Sequence, residues 1–122
     1  MTTEIRAIIF GVAFWFVAAM VVHLLPALFD GGLKQALLFA VSIPFCWVSV
    51  RVAAFVIGVT VQEVLIPAVI GTIVATFLDG VAMTWFSGLY HGISAETQFG
   101  AAWILYGVGW ILLFALLVRK LA

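Results

Sequence analysis

Hydrophobic residues fall in four runs, at 7–29, 33–57, 64–90 and 97–118, separated by three short interruptions. About 20 apolar residues, rising 1.5 Å each, cross a hydrocarbon core of about 30 Å. Each run therefore predicts one transmembrane helix. The interruptions at 30–32, 59–63 and 91–95 are too short to bring consecutive helices back in parallel, so neighbours in sequence are expected as antiparallel hairpins. The pattern predicts an all-α, integral-membrane, antiparallel four-helix bundle, with 1–122 forming a single membrane domain.

Local signals refine the runs. Pro26 lies near the end of the first, and Asp30, Gly31 and Gly32 make a tight stop after it. Pro44, midway through the second, removes one helical hydrogen bond and predicts a kink. Pro67 falls in the first turn of the third, where proline is tolerated. Ser94 is placed to cap the fourth helix, with Glu96 near its positive end and Arg119 and Lys120 closing it. Arg6 before an apolar run resembles the opening of a signal peptide. The run is too long, and no small-x-small cleavage site follows, so it reads as a retained span.

The basic residues orient the bundle. Arg6, Arg51, Arg119 and Lys120 fall at one end and only Lys34 at the other, which predicts both termini in the cytoplasm. The expected location is a cell membrane, of the bacterial inner-membrane type. Trp85, Tyr90 and Trp103 are then expected near the outer interface, as an aromatic belt.

Composition excludes most other classes. The chain is 67% hydrophobic and 8% charged, with mean hydropathy +1.37, where soluble domains carry about 25% charged residues. Five basic residues scattered along a chain of zero net charge make no nucleic-acid surface. Cys46 is the lone cysteine, so no intrachain disulfide forms, and its apolar neighbours suit a small buried side chain.

The third run carries the main chemical interest. Asp79 lies well inside it, and an intramembrane carboxylate costs roughly 2.5–3.5 kcal/mol unless it faces protein or water. Thr72, Thr76, Gly80 and Thr84 recur at every fourth position, a smooth stripe for close packing on another helix, within the bundle or across an oligomer. Counting from the helix starts places His23 and Asp79 both roughly 22–24 Å along their helices, at matched depth. They are expected to meet, with Thr76 a third polar group nearby, and to share charge or handle a proton. The alternative is structural: His23 reaches the headgroups, while Asp79 bonds to Thr76, an indole or backbone. Arg51 and Glu63 form an interfacial ion-pair candidate.

The sequence has no HExxH, CxxC, phosphate loop or nucleophile elbow, so no catalytic machinery, metal or cofactor is expected. The tryptophans Trp15, Trp47, Trp85, Trp103 and Trp110 suit packing and belt roles, or the wall of a cavity for a hydrophobic ligand. The apparent repeat of Asp30-Gly31 and Asp79-Gly80 is not kept by the surrounding residues, which argues against an inverted-repeat transporter.

In length and span count the chain is similar to the small multidrug resistance exporters, dimeric four-helix proteins that use a membrane-embedded glutamate in the first helix. Here the first span has no internal acid, and the acid stands in the third. Segment 77–90, FLDGVAMTWFSGLY, resembles a motif of an uncharacterised family of small four-span bacterial membrane proteins. Two functional expectations follow. One is a non-enzymatic, self-associating or accessory bundle, partnered by the bilayer and by copies of itself or other membrane subunits. The other is a small transporter or binder of a hydrophobic or cationic molecule, using Asp79 with His23.

Overall fold

The computed structural model describes residues 2–86 and 95–120. Its long elements are α1 (Thr3–Leu24), α2 (Leu33–Ile57), α3 (Leu65–Trp85) and α4 (Ala95–Lys120). Each contains a stretch long and apolar enough to cross a membrane. Tyr90 of the expected belt, His91 and the expected cap Ser94 lie outside the described residues.

Helix α1 starts earlier than the apolar run because Thr2 caps it. The Thr2 hydroxyl accepts the Ile5 N–H at 3.2 Å, and Glu4 stands in the first turn beside the positive end of the helix. It also stops short of the expected residue 29. Pro26 disfavours helical geometry at Leu25 (φ −126°, ψ 54°), and a short 3-10 turn, Pro26–Leu28, takes the chain over. Helix α2 has the expected bounds, with Pro44 inside it, and ends where Gly58 adopts φ 90°. The Gly58 and Val59 N–H groups both donate to the Ala54 carbonyl, at 2.9 and 3.0 Å.

Two kinds of contact hold the helices together. Helix α1 meets α3 through small residues. A methyl group on Gly11 would lie 2.6 Å from the Gly71 carbonyl oxygen and 2.7 Å from its Cα, so only hydrogen fits there. Further along, Ala19 and Val22 share a buried cluster with Ala82. Helix α2 meets α4 through rings. Phe39 stacks on Tyr106 with centroids 4.2 Å apart, and Trp47 meets Phe114 edge-on at 5.2 Å.

Polar ties close the ends. Buried Gln35 accepts the Gly31 N–H at 2.8 Å and donates to the Phe99 carbonyl at 3.0 Å, joining the α1–α2 turn to α4. Arg6, near the start of α1, donates to the Ile57 carbonyl at 3.1 Å, so a cation caps the negative end of α2. A buried cluster at that end gathers Ala7, Ile57, Val64, Ala115 and Val118.

Candidate functional site

A cleft runs along the inside of the bundle, with a volume of about 260 Å³ and walls from all four helices. On α1 it extends from Phe10 to Val21, a length of about 16 Å at 1.5 Å per residue. One end is bounded by Ile57 and Val64, the other by Leu38, Asp79 and Trp103. Apart from Ser42, Cys46, Ser49, Thr72 and Asp79, its side chains are hydrocarbon or aromatic. Asp79 is the one acid among the described lining residues, and it is half-buried at the end of the α3 wall.

The Asp79 end is the built end of the cleft. The Trp103 indole N–H donates to Ser42 Oγ at 2.8 Å, and that hydroxyl donates to the Leu38 carbonyl at 2.7 Å. The Trp103 ring meets buried Phe29 edge-on, with centroids 5.6 Å apart. These bonds fix the indole beside the cleft. Trp15 lines the cleft from α1 and packs on the same cluster as Trp103. Two tryptophans thus line the cleft, while Trp85 is 72% exposed at the end of α3.

The cleft is open on one flank. Val17, Val41 and Phe45 belong to its wall and are nevertheless 54, 62 and 50% exposed. They stand on α1 and α2, so the opening lies between those helices. Phe14 and Phe45 approach each other across it, with centroids 6.4 Å apart.

Contact of Gly11 with Gly71 sets the register of α1 on α3. It carries Asp79 to the level of Ala19 and His23 to the level of Met83, so His23 stands about one turn beyond Asp79 rather than at its depth. Counting from the apolar runs missed this because α1 begins at Thr3, four residues before its run, while α3 begins at Leu65. His23 is half-buried, its Nδ1 sealed from solvent, and it lies outside the cleft lining. Asp79, His23 and Trp15 each take part in a polar, ring or electrostatic interaction.

Among the described residues, the stripe expected to pack on another helix does not do so. Thr72 lines the cleft, but Thr76, Gly80 and Thr84 are exposed, and no described atom lies within 4 Å of where a Gly80 methyl would sit. The Thr84 hydroxyl turns back to the Gly80 carbonyl of its own helix, at 2.7 Å. The face that packs on α1 instead carries Gly71 and, three turns on, Ala82, and is turned about 100° from the stripe. Its signal lay in two small-x-x-x-small spacings, Ala7 to Gly11 and Gly71 to Ala75.

Arg51 and Glu63 have separate partners. The Arg51 guanidinium lies over Trp47, 4.7 Å from the ring centroid. The Glu63 carboxylate accepts the Thr60 hydroxyl at 2.6 Å and the Thr60 N–H at 3.3 Å, a capping box on the turn before α3. Those bonds favour the charged form and hold the Glu63 pKa below its ordinary value. Among the described residues, no three of His, Cys, Asp and Glu gather as a metal site would require.

Comparison with family models, curated proteins and solved structures returns no match. The four apolar helices are consistent with a small multi-pass membrane protein, and the functional reading rests on the cleft.

Proposed function

We propose that this chain is an antiparallel four-helix bundle of a cell membrane, with both termini cytoplasmic, that binds a hydrophobic cation in its central cleft. The carrying observation is a long apolar cleft with one acid among its described lining residues, Asp79, at one end. An acid in such a wall attracts a positive charge strongly, because little water screens it. The faces of Trp15 and Trp103 add attraction for a cation. His23, about one turn beyond, acts as the partner of Asp79 in sharing charge. The reading involves neither catalysis nor a resident cofactor.

Binding of decyltrimethylammonium to the protein in lipid nanodiscs, followed by tryptophan fluorescence, tests this. Asp79→Asn keeps the shape and removes the charge, and should weaken binding by at least about tenfold. Decanol, which is neutral, should bind both proteins alike. Equal affinity of the ammonium probe for both proteins would remove the basis for the reading.

A second reading, assembly with copies of itself or with other membrane subunits, is favoured by the open space over Gly80 on the exposed Thr76/Gly80/Thr84 face. The Cβ of Gly80→Leu meets nothing within 4 Å among the described residues. The substitution should therefore leave the fold intact while lowering the oligomeric state in cross-linking and native mass measurements. An unchanged oligomeric state would place lipid, not protein, on that face.

A further inference from the structure

Resting on the cation-binding reading, we infer that the ligand is a single-chain amphiphile, its cationic head at Asp79 and its hydrocarbon chain lying along the cleft toward Ile57 and Val64. The argument is one of shape. A cavity of about 150 Å³ holds one benzene ring, and pockets for compact drug-sized molecules begin near about 300 Å³. The cleft has about 260 Å³, but drawn out over about 16 Å of helix. That volume at that length suits one extended chain and excludes a body of several fused or clustered rings.

Polarity along the cleft has the same direction. The acid, the Trp103 indole and its hydrogen bond to Ser42 lie at one end, with Trp15 midway along the α1 wall. Ala53, Ile57, Val64 and Ala68 form the other, where a chain finds only hydrocarbon. Since lipid tails are as apolar as these walls, the chain gains little from burial itself; selectivity comes from fit and from the head at Asp79. The exposed flank at Val17, Val41 and Phe45 opens between α1 and α2. Through it the amphiphile enters sideways from the acyl layer, without passing through water.

The test fills the apolar end from either side. Ala68→Leu narrows it from α3 and Ala53→Leu from α2; both positions line the cleft. Each variant is compared with wild type in nanodiscs using butyl- and dodecyltrimethylammonium, at equal probe mole fraction in the lipid. The ratio of wild-type to variant affinity for one probe cancels its partitioning into the bilayer. It should stay near one for the butyl probe, which also reports an intact fold, and reach about tenfold for the dodecyl probe. In wild type, independently of any variant, tetraphenylphosphonium should fail to displace the dodecyl probe. Equal displacement by that four-ring cation, or equal ratios for both chain lengths, overturns the single-chain assignment while leaving the cation site standing. Failure of Asp79→Asn to weaken either alkyl probe overturns the cation site itself.

Discussion

At the scale of single residues, Arg6 and Glu63 act on helix ends and turns rather than on an opposite charge. Arg6 reaches the last carbonyl of α2, an interaction worth about 0.3–1 kcal/mol for an exposed cation at a helix C-terminus. Arg6→Gln should lower stability within that range, measured by reversible unfolding in mixed micelles; an unchanged midpoint would mean the bond is lost in solution. Glu63 is held charged by Thr60, so its folded pKa lies below the unfolded one. Its contribution is therefore fully present above the unfolded value and is lost as pH falls through the folded value. Carboxyl NMR should show Glu63 titrating below an ordinary glutamate, and Thr60→Val should return it to the ordinary range. The Arg6 partnership was not legible in the sequence, and Arg51 and Glu63 looked like a pair. Opposite charges at one end of a bundle do not specify which side chain turns to which. The capping box, with threonine and glutamate three positions apart, was the more local signal, and local geometry prevailed.

At the scale of elements, α1–α3 and α2–α4 respond differently to substitution. Gly11 faces backbone, which cannot swing aside as a side chain can, so Gly11→Ala should destabilise the protein although alanine is the better helix former. The expected loss is about 1–3 kcal/mol, the range for overpacking. Gly109, on α4, has no described atom within 4 Å of the point a methyl group would occupy, so Gly109→Ala should stabilise by up to about 1 kcal/mol. Thermal unfolding of the two variants in one detergent checks both signs, and a gain from Gly11→Ala would contradict the close crossing. The helices themselves were readable from the four apolar runs, α2 to its exact bounds, because length and hydrophobicity determine them. Which faces meet was not. In a chain this apolar every face is hydrophobic, and small residues occur in more than one stripe. The threonine–glycine stripe on α3 is one residue out of phase with the packing face, and one residue is about 100° of helix.

At the scale of the whole molecule, two differently built helix pairs leave a cleft between them. Small residues draw α1 close to α3 and rings join α2 to α4, while the contact of α1 with α2 is loose enough to admit the opening at Val17, Val41 and Phe45. Asp79 stands out in the sequence by its depth in an apolar run, which holds whatever the packing. Trp15, Trp103 and Ser42 join it only through helix rotations that a sequence does not supply. The same arrangement fixes which turns share an end. Arg6 touches the end of α2, and Ala7 clusters with Val64 and Val118, so the N-terminus, the 58–64 turn and the end of α4 lie together, opposite the 30–32 turn. If the helices span a bilayer with the arginine-rich end inside, single cysteines should report two distinct sides. In a Cys46→Ser background, Thr3→Cys and Gln62→Cys should react with a membrane-impermeant maleimide only after the cells are opened. Asp30→Cys should react in intact cells. Reversal of all three results would invert the orientation, since positive charge near short loops, the sole basis for it, would have been overridden. Reaction of Gln62→Cys and Asp30→Cys from the same side would be more damaging. Helix α2 would then not cross the membrane, and the cleft, with Asp79 at one end, would lose the acyl-chain surroundings on which its proposed ligand depends.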